Sequence, residues 1–147
     1  MDIFLPRLNK ITGRTYRLPT EAEWEFAARA GNSESQYPWS ETLPMDERGC
    51  FYANFKPERG NYTKDGSLIT TKAGSYSANS HGLYDMAGNV SEWTATAYSE
   101  GGMAYTSDMN PDYRYNAAKE DPYQMKRKII RGGSWKDVSN FIRSDIR

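Results

Sequence analysis

Between Ala30 and Ser80 the chain shows no sustained apolar periodicity and fills with turn-forming clusters: "GNS", "PERGN", "KDGS" and "SANSHG". Glycine, proline, asparagine and aspartate at this density exclude long helices and strands from that stretch. A connection so long inside a compact domain carries too few apolar side chains to offset its ordering cost. Something other than a broad aliphatic core must hold it. Composition points the same way. Tyrosine (11) and tryptophan (4) are plentiful while leucine, isoleucine and valine are sparse, so the core is expected to be built from rings and the fold to be irregular and loop-rich. Tracts of pure charge or low complexity, which would indicate disorder, are absent.

Regular elements flank the irregular stretch. Phe4, Leu5, Leu8 and Ile11 recur at helical spacing and Gly13 stops them. In "YRLPTEAEWEFAARAG" an extended Tyr16-Arg17-Leu18 leads to Pro19 and Thr20. Thr20 is the expected N-cap, Glu23 completes a capping box, Trp24, Ala27 and Ala28 share one face, and Gly31 is the expected stop. Glu21 and Glu23 suit the positive end of this helix and need no catalytic explanation. "EWTATAY" alternates, with Trp93, Ala95 and Ala97 on one face and Thr94, Thr96 and Tyr98 on the other, the pattern of a half-buried strand. A second strand, Lys128 to Arg131, runs into Gly132-Gly133-Ser134-Trp135. Between the strands Tyr105, Tyr113, Tyr115 and Tyr123 are either a recognition surface or aromatic filling beneath a loop. Periodic patterns at both ends read as unfinished, so residues 1–147 are expected to be one incomplete domain.

The balance of 19 basic and 19 acidic residues gives no field that would draw nucleic acid or an anionic membrane surface. Lys126-Arg127-Lys128 reads as a solvated approach to the second strand. A single cysteine, Cys50, excludes a disulfide within the chain, and no apolar run approaches the roughly 20 residues of a membrane span. His81, the only histidine, sits before a turn glycine and is expected to be a loop residue. Hard oxygen donors occur in two groups: Asn54 with Asp65, and Asp85 with Glu92. If a metal binds them it is calcium, but Asp-Gly and Gly-Asn are also ordinary turn formers.

Taken together and in order, "YRLPTEAEWEFAARAG", "YPWS", "GLYDMAGNVSEW" and "IIRGGSW" resemble the formylglycine-generating enzymes, the sulfatase-modifying-factor family. The resemblance implies a C-type-lectin-like α+β fold and two structural calcium sites. The first would use the side chains of Asn54 and Asp65 with the carbonyls of Phe55 and Ser67. The second would use Asp85 and Glu92 with the carbonyls of Gly88 and Val90. In catalytic members a cysteine pair after the Gly-Gly-Ser motif binds copper for oxidising a substrate cysteine. Here the matching positions are Asp137 and Ile142, neither a soft ligand for Cu(I), and Cys50 lies in another motif. The iron-binding branch of the family uses histidines that this chain lacks. The expectation is therefore a pseudoenzyme with calcium and without copper, in which Glu92→Ala reproduces most of the stability lost on chelation and Asp137→Ala does not.

A narrower resemblance rests on "GCFYANFKPERGNYTKDGS", "GLYDMAGNVSEWTATAY", "MNPDYRYNA" and "MKRKIIRGGSWKDV". These are similar to the gliding-motility lipoprotein K family of Bacteroidetes (GldK or PorK). That resemblance implies a non-catalytic component of the type IX secretion machinery, self-associating into a periplasmic ring with an N-type partner. It also implies attachment to the outer membrane through a lipid anchor outside this sequence. The alternative is a lectin-like, ligand-displaying protein of the same fold, and a residual oxidase stands behind both.

Overall fold

The computed structural model describes residues 3–39, 42–58, 61–100 and 113–147. Along the chain these form helix α1 (Phe4–Thr12), helix α2 (Glu21–Arg29), strand β1 (Glu92–Ala97) and strand β2 (Lys128–Arg131), with short 3₁₀ turns at Tyr123–Lys126 and Ser139–Ile142. Tyr105 lies outside the described residues.

Helix α1 ends as its spacing predicts. Gly13 adopts φ 67° and its N–H donates to Asn9 O at 2.9 Å, the left-handed cap that glycine accepts without strain. Asn9 also holds the chain that follows, accepting from Tyr16 N at 2.7 Å and donating to Tyr16 O at 3.3 Å. Leu5 and Leu8 are half-buried, while Phe4 and Ile11 stay exposed.

Helix α2 opens with the expected reciprocal box. Thr20 Oγ1 accepts from Glu23 N at 3.1 Å and Glu23 Oε2 accepts from Thr20 N at 2.9 Å. Its stop differs from the sequence expectation: the left-handed cap is Ala30 (φ 49°), one residue before Gly31 (φ 87°). A loop side chain explains how alanine can serve. Asn79 Nδ2 donates to the carbonyls of Ala27 (2.8 Å) and Ala28 (3.2 Å), and Ser80 Oγ donates to that of Ala30 (3.2 Å). The carbonyls of the last turn are thus satisfied from outside the helix, which offsets the cost of a left-handed alanine.

Strands β1 and β2 pair antiparallel in the register Glu92↔Arg131, Trp93↔Ile130 and Ala97↔Lys128, with an irregularity between Trp93 and Ala97. From Trp93 to Thr96 the alternation read from the sequence is present with the threonines inward, but it breaks at the strand's end, where Ala97 is buried and Tyr98 exposed. Thr94 donates to Ile129 O at 3.0 Å, and Thr96 Oγ1 accepts from Glu21 N at 2.9 Å, fastening the sheet to the start of α2. Trp93 is 52% exposed on the outer face beside Ile130.

Rings supply much of the core, as composition suggested. One cluster gathers Tyr37, Ala53, Phe55, Ala87 and Ile142, with Trp39 and Phe51 against it. The other joins Trp24 and Ala28 of α2 to Met86. Tyr37 stacks on Trp39 at 4.9 Å, and Phe51 meets Phe55 edge-on at 5.6 Å. Beneath α2 the Arg131 guanidinium, 2% exposed, bonds Glu21 at 2.7 Å, Glu25 at 2.9 Å and the Ser144 carbonyl, and lies 5.3 Å from the centroid of the Trp24 ring. Several charges in this core are therefore paired ones.

Candidate functional site

A hub at Gly88-Asn89 binds the irregular segments to one another. Asn89 (φ 59°) donates its N–H to Asn54 O at 2.7 Å, and its carbonyl accepts from Trp135 N at 3.1 Å. Its side chain accepts from Thr71 N at 3.0 Å and donates to Thr71 O at 3.3 Å. Gly88 N donates to Gly132 O at 2.8 Å, and a Cβ on Gly88 would lie 2.1 Å from the Asn54 carbonyl oxygen. From sequence this Gly-Asn is a turn former and, by the family resemblance, the source of one carbonyl. Left-handed backbone at a Gly-Asn pair was the available signal.

The residues expected at the first calcium site stand together around this hub. Asp65 Oδ2 accepts from Phe55 N at 2.9 Å and Asp65 Oδ1 from Ser67 N at 3.1 Å, so one carboxylate joins three of the four residues. Asn54 is 1% exposed and donates to Ile69 O at 3.0 Å, while its Oδ1 is buried with no donor against it among the described residues. An orphaned buried amide oxygen is costly unless a cation or water meets it. Tyr76, absent from the sequence reading, lies alongside: burial pushes its phenol up, and the charge of Asp65 adds to the push.

At the second set, Asp85 holds a left-handed backbone (φ 56°) and accepts from Gly74 N at 2.7 Å. Glu92 takes the Trp24 indole N–H at 2.6 Å. Burial pushes the Glu92 carboxyl up; the indole bond opposes this and the negative charge of Asp85 adds to it. Burial and a nearby like charge both favour the protonated form of Glu92, a cost that a divalent cation would relieve. Gly88 is buried and Val90 exposed between them. Among the described residues no three His, Cys, Asp or Glu side chains gather in one place, so a hard cation here would depend heavily on amide and main-chain oxygens. Both sets have that chemistry.

The turn after β2 is built for packing. Asp137 Oδ2 accepts from Ser134 N at 2.8 Å and from Ser134 Oγ at 2.7 Å, and Asp137 N returns a bond to Ser134 O at 2.9 Å. Asp137 is therefore a brace of this turn, held through hydrogen bonds that a side chain without oxygen would remove. Ile142 is fully buried in the ring cluster, and a Cβ on Gly133 would strike its Cγ2 at 2.9 Å. Cys50 is exposed. His81 is an exposed loop residue whose N–H donates to Asn79 Oδ1 at 3.0 Å. Of the tyrosines, Tyr113 (52%) and Tyr123 (79%) are exposed, whereas Tyr115 is half-buried and donates to Asp121 at 2.7 Å. A cleft of about 340 Å³, walled by Trp39, Tyr52, Tyr76 and Leu83, opens beside Asp85.

Known proteins are similar to this chain in sequence and fold. The formylglycine-generating enzyme of Streptomyces coelicolor is 36% identical over 120 residues, covering 81% of this chain and 36% of its own length. The inactive C-alpha-formylglycine-generating enzyme 2 of Bos taurus is 33% identical over 128 residues, covering 86% of this chain and 35% of its own. Among solved structures, PvdO from Pseudomonas aeruginosa superposes with a TM-score of 0.66 at 32% identity, over 95% of this chain and 48% of that one. Treponema denticola variable protein 1 does so at 0.53 and 26%, over 87% and 39%. The chain spans about a third of the length of these two sequence relatives. The sulfatase-modifying factor enzyme 1-like domain matches residues 4–147, and the chain belongs to that family.

Proposed function

We propose that this chain is a non-catalytic member of the family, a calcium-braced binding scaffold. The observation that carries the reading is the fate of the two positions after Gly-Gly-Ser-Trp. Asp137 spends a carboxylate oxygen on Ser134, and Ile142 places an alkyl side chain with no donor atom in the ring core. Soft Cu(I) chemistry has no ligand pair there. The existence of a relative named as inactive supports loss of activity within this family.

Calcium, when bound, would supply positive charge against buried oxygens. Asn54 and Asp65 with the carbonyls of Phe55 and Ser67 would hold one ion, and Asp85 and Glu92 with the carbonyls of Gly88 and Val90 the other. The bond from Asn89 N to Asn54 O ties the hub to the first set, and the Trp24 indole bond to Glu92 supports the second. C-type-lectin-like topology belongs to the same proposal, as does the finer role. On its quoted motifs the protein is a GldK/PorK-type lipoprotein in a type IX secretion ring, periplasmic, lipid-anchored to the outer membrane and associated with an N-type partner. A ligand-displaying function is the second reading, favoured by the aromatic cleft lined by Trp39, Tyr52 and Tyr76.

The test incubates the full-length protein with Cu(I), oxygen and a cysteine-containing peptide and follows aldehyde formation by mass spectrometry. No aldehyde above the protein-free background is expected, and turnover that depends on the protein overturns the scaffold reading. Co-purification with the N-type partner then separates the ring role from ligand display.

A further inference from the structure

Lys56 and Lys136 come from distant stretches of the chain and meet at the Gly-Gly-Ser-Trp turn. The main-chain N–H of Lys56 donates to the Asp137 carbonyl at 2.9 Å and locks the two stretches together. Between the two ammonium groups lie Tyr62 and Trp135, edge to face with centroids 6.1 Å apart at 64°. Lys56 Nζ sits 4.3 Å from the Tyr62 centroid and donates to its hydroxyl at 3.1 Å, and Lys136 Nζ sits 5.0 Å from the Trp135 centroid. Both rings are half-buried and Lys136 is exposed.

Neighbouring carboxylates are already engaged. Asp137 turns its Oδ2 to Ser134, Glu58 is paired with Lys64, and Asp65 accepts from Phe55 and Ser67. Neither Lys56 nor Lys136 has a carboxylate partner among the described residues. Elsewhere the guanidinium groups of Arg17, Arg29, Arg131, Arg143 and Arg147 each hold an acid. Two ammonium groups without a carboxylate partner among the described residues thus stand beside this aromatic pair, on a protein of zero formal net charge.

We infer that this Lys56–Tyr62–Trp135–Lys136 patch is a docking surface for an acidic segment of a partner protein, whose carboxylates meet the two ammonium groups while its backbone lies along the rings. Tryptophan and tyrosine in a partly desolvated setting anchor interfaces, and rim charges select the partner and its register. Nucleic acid fits less well, because two lysines on a neutral protein make few phosphate contacts. The inference rests on the scaffold reading and names the surface through which that scaffold works.

The probe is a fluorescein-labelled hexaglutamate peptide, titrated against the full chain at low ionic strength and read by fluorescence anisotropy. Saturable binding is expected, weakened about tenfold or more in Lys56→Gln/Lys136→Gln and unchanged in Lys10→Gln/Lys119→Gln. In the wild-type protein the same titration should shift the indole N–H resonance of Trp135 more than those of Trp24, Trp39 and Trp93, a readout independent of how the variants fold. Absence of hexaglutamate binding, equal binding by the double variant, or tighter binding of oligothymidylate each overturns the inference. The scaffold reading fails separately, on aldehyde formation from the cysteine peptide.

Discussion

Replacing Gly88 with alanine tests the hub directly. The added Cβ would lie 2.1 Å from the Asn54 carbonyl oxygen and 3.0 Å from its carbon, on a backbone with φ +71°. The left-handed conformation costs a non-glycine residue roughly 1–2 kcal/mol. Relief of the clash must displace the Asn54 peptide, which breaks its 2.7 Å bond from Asn89 N and leaves buried groups unpaired, costing about 1–3 kcal/mol more. Together these come to about 2–5 kcal/mol, a large share of the roughly 5–15 kcal/mol typical of a folded protein. For a chain of this size the melting temperature should fall by on the order of 10 °C. Gly82→Ala is the matched control: φ is +77° and nothing lies within 4 Å of its Cβ, so it carries the backbone cost alone. Urea unfolding followed by tryptophan fluorescence, with calcium present throughout, measures both. Losses within about 0.5 kcal/mol of one another would refute the argument that close approach to Asn54, beyond backbone strain, makes Gly88 obligatory.

Chelation should lower the melting temperature, because an ion that binds only the folded state adds about 2.7 kcal/mol at a hundredfold excess over Kd. Glu92→Gln, which keeps an acceptor for the Trp24 indole, should lose most of the second site's share of that increment in calorimetric scans with and without calcium. Arg131→Met should cost about 1–3 kcal/mol in urea titrations, since it leaves the Ser144 carbonyl without this donor and removes one of two arginine partners from each of Glu21 and Glu25, which keep Arg147 and Arg29. Glu23 behaves differently with pH. The bond from Arg17, then that from Thr20 N, lowers its pKa from 4.5 to about 2, so its contribution is complete above pH 4.5 and disappears as pH falls towards 2. Glu23→Gln should accordingly flatten acid unfolding across that window, and an acid limb as steep as wild type would remove Glu23 as its source.

Local structure was largely legible in the residues themselves. Thr20 and Glu23 encode a capping box within three positions, Gly13 encodes a left-handed stop, and the alternation of "EWTATAY" encodes two faces, because each depends on backbone geometry within a turn or a strand. The absence of soft ligands at Asp137 and Ile142 was equally plain, since donor chemistry is a property of the side chain alone. Tertiary structure decided what depends on distant partners. Alternation alone cannot say which face of β1 is buried; Glu21 and Ile129 turned the threonines inward by offering them hydrogen bonds. Ala30 displaced Gly31 as the helix stop because Asn79 and Ser80 arrive from a later loop. Arg131 became a buried ion-pair centre and Asn89 became a hub, each by bonds among segments whose meeting no local pattern records. In a fold with so little regular structure, long-range hydrogen bonds to loop backbone carry the positional information that helix and sheet ladders would otherwise supply.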